Sequence, residues 1–466
     1  MLGTQVVVVG GGFAGLAAAA ALAARGARVT VLESHHGHDP RFRGELIHPR
    51  GVRGLDALGL KAPLFEAGGV AVKGFAVAAD ADVPAMLLPY SVAFGTGLGI
   101  DHHAMVAKMR EVVGARPGVT LVTGQRVDAL LYDGARIAGV RTADGNEHRA
   151  HLTVGADGRM SKVRALMGLD PEVKLLSYTV AVSVEGDVLP HAGHGHVFLG
   201  APGPILAYPF GAGRVRMCID VPVGEAKGKA VIKQYVKEHF ARFVPEPLRE
   251  AMLQSLELRP LEGCATHAVS TESCAAPGIA LVGDAGGCMH PLTAAGMTNG
   301  INDVLTLADC LAGGVSLDAG LLNYQRRRYR FIRAREVFTE ALYEVFRAHD
   351  VGSKALQSGT FRYWASSPRA RAKSVGILSG EYANPRTFVS EYARVMGLST
   401  YGVWGEALKK RTVRKGARRM QALLSTSFDR LERTFSRVVS TVVQERRSAL
   451  HRVEAKPPAG HVDAAA

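Results

Sequence analysis

Gly10, Gly12 and Gly15 stand at G-x-G-x-x-G spacing directly after the apolar run Val6 to Val9, and an alanine-rich segment follows them to about Arg25. Such glycines have separate mechanical tasks: a tight turn out of a strand, close approach of the backbone to a pyrophosphate, and close packing of helix on sheet. The turn between them, with Phe13 and Ala14, leads into a helix N-terminus whose free N–H groups and partial positive charge attract phosphate. Residues 28–32 read as a second strand ending in Glu33, an acid that can accept hydrogen bonds from both ribose hydroxyls of an adenosine. These residues are expected to bind a dinucleotide; taken alone they leave FAD and NAD open.

Two further stretches carry the same kind of chemistry. Asp157-Gly158 follows an apolar strand and precedes Arg159, Lys162 and Arg164. Far downstream, LVGDAGGCMHPLTAAGMTNGINDV places Asp284 at the end of a strand, then Pro291, then Gly296 and Met297 at the start of a new helix. An acid there can bind a ribityl hydroxyl, and the helix N-terminus can stabilise negative charge on a reduced flavin. That combination selects FAD over NAD.

The elements that must position these residues are legible from periodicity. Strands are expected at 120–122, 127–132, 136–142 and 148–154, with turns at Asp133-Gly134 and Asp144-Gly145. A helix is expected from Asp101 to Val113, and strands at intervals through residues 70–98. Residues 177–220 read as β throughout, 227–256 as largely helical, and the chain from Thr298 onward as helical. The fold class is therefore α/β: a Rossmann-type FAD-binding domain, an interleaved β-sheet substrate domain and a C-terminal helical region. The expected division is 1–170 and 276–315 for the FAD domain, with inserted strands in the first part. Residues 171–275 form the sheet domain, 316–400 helices, 401–452 a basic amphipathic tail, and 453–466 a disordered end.

With 466 residues, 47% hydrophobic and 21% charged, the chain is that of a globular protein able to bury a large core. Five cysteines without a C-x-x-C pair argue against a disulfide framework or a zinc site. His35, His36 and His38 lie in a polar loop without a partnering acid or cysteine pattern and read as surface histidines, so no metal is expected. No apolar run reaches membrane-spanning length. The net charge of +14 is concentrated in the tail, where residues 406–452 hold 13 Lys/Arg against 4 Asp/Glu. Leu424, Phe428, Leu431, Phe435, Val438 and Val442 recur at alternating four and three, an amphipathic helix suited to packing on the body, to a partner or to an anionic membrane. Aromatic content of 6% and the lack of a nucleic-acid motif speak against a nucleic-acid binder. A cytoplasmic protein, with at most peripheral membrane contact, is expected.

At these motifs the chain resembles the flavoprotein monooxygenases, and more narrowly the squalene epoxidase family. The likeness rests on GELIHPRGVRGLDALGL, LPYS around Tyr90, His102-His103, DGRMSKVR, HVFLGAPGPILAYPFGAGRVRMCIDVP, HPLTAAGMT, LYEVF and LSGEYANP, and spans roughly residues 5–396. The resemblance implies Glu33 on the adenosine ribose, Arg41 and Glu45 near the flavin, Asp284 on the ribityl chain and Tyr90 at the flavin edge of the substrate cavity. It also marks departures: His48 where the family has an amide, Met105 in place of an arginine, and Ala294 and Ala295 in place of two glycines. Tyr90, His48 and Glu45 are the candidate catalytic residues.

The implied activity is epoxidation of a carbon–carbon double bond of a hydrophobic isoprenoid, squalene or a prenyl-tailed compound, through a flavin C4a-hydroperoxide. Electrons would come from NADPH directly or through a reductase, since no second dinucleotide motif follows a strand. Ile205, Leu206, Tyr208 and Phe210 are expected to form an apolar cavity wall. Two alternatives keep the fold: hydroxylation or epoxidation of an aromatic ring such as a quinolone or phenol, with His48 as base, and reduction of a prenyl chain.

Overall fold

The computed structural model describes residues 1, 3–37, 43–169, 171–200, 202–409 and 415–425. Val6, Val7, Val8 and Val9 are all buried, the signature of a parallel strand covered on both faces. Gln5–Val9 pairs in parallel with Arg28–Glu33 on one side and Leu152–Gly155 on the other. The full sheet runs Ala275–Ala276, Ile279–Leu281, Leu152–Gly155, Gln5–Val9, Arg28–Glu33, Val119–Thr123. The helix Phe13–Ala23 lies against it with its alanine run fully covered, small side chains allowing close approach. The three expected nucleotide-binding stretches thus leave the same edge of one sheet, although Gly10 and Asp284 are 274 residues apart in the chain.

The strand expected over 148–154 is two strands in two sheets. Glu147–Arg149 closes a three-stranded antiparallel sheet with Arg136–Thr142, and Leu152–Gly155 joins the parallel sheet. The backbone changes partners between them, Ala150 N–H donating to Ala138 and His151 N–H to Gln5. No glycine or proline interrupts residues 147–154, so sequence alone could not register the exchange.

A seven-stranded sheet forms the second layer, in the order Glu262–Ser270, Glu172–Glu185, Arg214–Pro222, Ile205–Gly211, Gly195–Phe198, Gly74–Ala78, Met86–Pro89. Its last two strands come from the first segment of the chain, so the inserted strands of residues 1–170 help to build the substrate sheet. One face carries Val180, Val182, Met217, Ile219 and Val221 and is buried under the helices Lys229–His239 and Leu248–Leu258. The other turns toward the parallel sheet and the C-terminal helices Leu317–Arg347, Val351–Ser366, Pro368–Leu378 and Pro385–Lys409.

Residues 415–425 are helical and return to the body, burying Met420 and Leu423 in the same cluster as Trp364 and Val403. Leu424 is exposed, and the other apolar positions of the expected tail helix lie outside the described residues. Among the described residues no helix is long and apolar enough to cross a membrane.

Candidate active site

A cavity of about 400 Å³ lies between the two sheets, and residues from all three nucleotide-type stretches line it. Gly10, Gly12, Phe13, Ala14 and Glu33 form one end; Asp157, Asp284, Pro291, Gly296 and Met297 follow along it. Gly15 stands behind the wall, where a Cβ would come within 1.8 Å of the Gly10 carbonyl oxygen. By contrast a Cβ on Gly12 would meet nothing within 4 Å, so its backbone faces open space.

Glu33 accepts a hydrogen bond from Gly11 N–H at 2.7 Å and another from His35 N–H at 2.9 Å. Burial by itself would raise its pKa, but these N–H donors outweigh that and hold the carboxyl below its usual value. It is therefore a fixed, ionised acceptor beside the glycine turn. Asp284 behaves differently: burial raises its pKa despite the opposing charges of Arg159, Arg43, Arg328 and Arg164. Asp157 lines the cavity, yet its carboxylate is occupied within the chain, accepting from Ser161 Oγ at 2.5 Å and Val163 N–H at 3.0 Å. Its side chain builds the local turn.

The donor set suits FAD. Two helices begin at the cavity, Phe13–Ala23 and Gly296–Cys310, and neither N-terminus has a side-chain cap. Their unspent N–H groups offer positive potential at two separated points, which matches a pyrophosphate at one and an electron-rich ring edge at the other. Asn299 Oδ1, buried on the cavity wall, has no protein partner.

The expected catalytic residues divide. Glu45 lines the cavity and makes a bidentate pair with Arg216, at 2.8 and 2.9 Å. Burial raises its pKa against the pull of that guanidinium. His48 and Tyr90 do come together, His48 Nδ1 to Tyr90 OH at 2.6 Å, but neither is on the cavity wall. His48 Nε2 lies 2.7 Å from the Thr293 carbonyl, an acceptor only, so Nε2 carries the proton and Nδ1 accepts from the Tyr90 hydroxyl. Its backbone N–H donates to Thr298 Oγ1 at 3.0 Å. The pair thus braces the 293–298 turn from behind. Burial pushes the His48 pKa down to about 4 and the Tyr90 hydroxyl well up, so both are neutral at pH 7. Arg41 lies outside the described residues, and Met105 is fully buried in the core beneath the parallel sheet.

Several residues at the site had no signal in the sequence. Arg110 donates to the carbonyls of Gly11 and Gly37, at 3.3 and 3.0 Å. With His102 and Val106 it forms a cavity-facing stripe at four-residue spacing on His102–Gly114. Asp303 accepts from Gly283 N–H at 3.0 Å and from Arg328 Nε at 2.9 Å, a buried ion pair under the turn that carries Asp284. The expected apolar wall is only half present: Leu206 and Tyr208 line the cavity, Ile205 faces the outer core, and Phe210 packs away from the cavity. Strand alternation places 205 and 206 on opposite faces.

Residues 149–415 match the family model described as squalene epoxidase, and residues 8–57 the NAD(P)-binding Rossmann-like domain. The chain is 32% identical over 410 residues to squalene epoxidase 2, mitochondrial, of Arabidopsis thaliana, covering 84% of this chain and 69% of that protein. It is also 32% identical over 382 residues to squalene epoxidase erg1 of Aspergillus fumigatus, covering 77% and 79%. Among solved structures it is similar to pqsL, a probable FAD-dependent monooxygenase from Pseudomonas aeruginosa. There the TM-score is 0.63 at 25% identity, over 74% of this chain and 96% of that one.

Proposed function

Since the chain belongs to the squalene epoxidase family and is an FAD-dependent monooxygenase, we propose that it inserts one oxygen atom of O₂ into a carbon–carbon double bond of an isoprenoid. The balanced reaction consumes olefin, O₂, NADPH and one proton, and yields epoxide, water and NADP⁺. The observation that carries the reading is the convergence of three distant nucleotide-type stretches on one cavity, closed on its far side by the seven-stranded sheet.

FAD, when bound, supplies the activation of O₂. The chain's own residues bind, orient and exclude water. Gly10, Gly12, Phe13 and Ala14 present the first helix N-terminus to the pyrophosphate, and Glu33 receives the ribose. Asp284 takes the ribityl chain, while Gly296 and Met297 bring the second helix N-terminus to the flavin ring. His48 and Tyr90 act as positioning residues through Thr293 and Thr298. Glu45 is paired with Arg216, which also meets Glu262, so its charge is offset at the cavity edge. We read residues 1–170 with 276–315 as the FAD domain, and 171–275 as the core of the substrate domain.

Electrons are supplied by NADPH, bound transiently or delivered through a reductase. Tyr401, Leu408 and Leu424 are exposed on the C-terminal helices, which also carry the exposed Lys415, Arg418 and Arg419, a composition that supports peripheral contact with an anionic membrane. Aromatic hydroxylation with His48 as base gains no support from the geometry, because both ring nitrogens are engaged away from the cavity.

Aerobic turnover of squalene and of prenyl-tailed olefins with NADPH, with and without a reductase, tests the reading by mass spectrometry of the product. A product heavier by one oxygen atom is expected. Hydrogen peroxide alone from every olefin, or oxygen-independent reduction of the chain, would overturn it.

A further inference from the structure

The helix Leu317–Arg347 carries Arg328, Ile332, Arg335 and Thr339 at helical spacing, on one face. Arg328 and Ile332 line the cavity, and Thr339 Oγ1 meets the sulfur of Met289, another wall residue, at 3.7 Å. Arg335 stands between these contacts and is 2% exposed. The two arginines of the stripe differ in their partners. Arg328 is paired with Asp303, whereas for Arg335 no carboxylate among the described residues lies within ion-pair distance. Its Nη1 and Nη2 donate to the carbonyls of Ile377 and Leu378, the last two residues of the helix Pro368–Leu378, and its buried Nε has no acceptor.

The charge beside it is also positive. Burial and the neighbouring Arg50 lower the pKa of Arg335 to about 10, which leaves it protonated at pH 7. Arg50 donates to Asn302 Oδ1 and to the Gly380 carbonyl, and Glu381, the acid whose charge reaches Arg50, is held by Arg53 at 2.6 Å. A helix C-terminus offers only about half a unit of negative charge. A buried guanidinium left short of an anion is costly, and is best tolerated where a bound group supplies the missing charge.

The position of Arg335 says which group that is. Its charge acts on His48, whose Nε2 donates to the Thr293 carbonyl, so the guanidinium lies behind the turn 289–294. The other side of that turn faces the cavity next to Gly296 and Met297. Hydride transfer from NADPH moves two electrons and one proton to the flavin and leaves NADP⁺, so the flavin gains one negative charge. We propose that Arg335, acting across the 289–294 turn, stabilises the negative charge of the reduced flavin and thereby sets how readily the bound cofactor accepts electrons. The inference rests on the flavin ring lying beside Gly296 and Met297, and holds whichever olefin is oxidised.

The test uses the FAD-loaded full chain, with the midpoint potential of the bound flavin read by reductive titration against a reference dye. Arg335→Gln keeps an amide donor for the two carbonyls and removes the charge. It should lower the potential and make reduction about tenfold less favourable, about 30 mV for a two-electron couple, the order expected of a unit charge acting over about 10 Å at an effective dielectric of about 20. Arg335→Lys should restore the wild-type value. Arg335→Met, an apolar chain in place of a buried charge, carries the test if Arg335→Gln does not fold. Arg25→Met removes a partly exposed charge paired with Asp309, near the far end of the helix Gly296–Cys310, and should leave the potential where it was. An unchanged potential in the folded Arg335 variants, or an equal fall in Arg25→Met, would overturn the proposal. Epoxide from the wild type together with an unchanged potential in Arg335→Gln would defeat this inference and leave the epoxidase reading standing. The expected fall in potential with no epoxide from any olefin would do the reverse.

Discussion

At the scale of single residues, the site is governed by which buried groups stay neutral. His48 is held at a pKa of about 4 by burial, against 6.5 for the free side chain. Below pH 6.5 the unfolded chain takes a proton that folded His48 refuses, so stability is fully present above that pH and falls as the pH drops toward 4. Between pH 7.5 and 5 this one residue should account for a loss of about 2 kcal/mol. Burial pushes His102 and His196 down as well, to about 4 and about 3, so the contribution is isolated by difference. In urea titrations at the two pH values, His48→Gln should show a loss smaller by that amount; equal losses would contradict the buried neutral imidazole. Gln can still donate to Thr293 and accept from Tyr90, so olefin turnover is expected to survive, whereas a mechanism with His48 as base would lose it.

Asp303 and Arg328 present the opposite case, a buried pair whose charges depend on one another. Burial raises the pKa of Asp303 against the attraction of Arg328, while ion pairing raises that of Arg328 against its own burial. Removing one charge leaves the other uncompensated, which costs about 3–5 kcal/mol. Asp303→Asn should therefore lower the urea midpoint sharply. It should also weaken flavin binding, since Gly283 N–H loses its carboxylate under the turn that carries Asp284.

At the scale of elements, the turn 290–295 does more than join a strand to a helix. Ala294 sits at φ 48°, in the left-handed region, where a Cβ costs about 1–2 kcal/mol. Glycine, which the family resemblance places here, would have no such penalty but would lose more freedom on folding. Ala294→Gly is thus expected to stabilise the protein by up to about 1 kcal/mol, measurable as a rise in the denaturation midpoint. A loss of stability would mean that the methyl group's contacts outweigh the strain. The helix Leu317–Arg347 ties the layers together: Tyr324 OH donates to the Leu281 carbonyl under the parallel sheet, and Tyr343 OH reaches Asp220 on the large sheet.

At the scale of the whole molecule, the question is where the working body ends. Leu423 is fully buried and Met420 9% exposed, both in the cluster with Trp364 and Val403. Leu423→Ala should cost about 2–5 kcal/mol, the range for a truncated core leucine. Truncation after residue 425 should leave flavin-dependent turnover intact, and truncation after 409 should not. Equal turnover from the two truncations would show that residues 415–425 are dispensable.

The sequence by itself determined the nucleotide-binding frame, because each requirement there is local. A glycine turn, an uncapped helix start and an acid at a strand end are specified by a few neighbouring residues, and Gly10, Gly12, Glu33, Asp284 and Gly296 could be named from spacing alone. It also carried the family blocks. Only the tertiary structure decided what faces the cavity, because that depends on partners far apart in the chain. His48 and Tyr90 meet behind the 293–298 turn, Asp303 finds Arg328 one helix away, and Thr179, Asp220 and Thr266 converge from three strands on a wall that hydrophobicity alone had made apolar. One-residue alternation sets which face each side chain takes, and pairing between distant strands sets which of those faces the ligand meets.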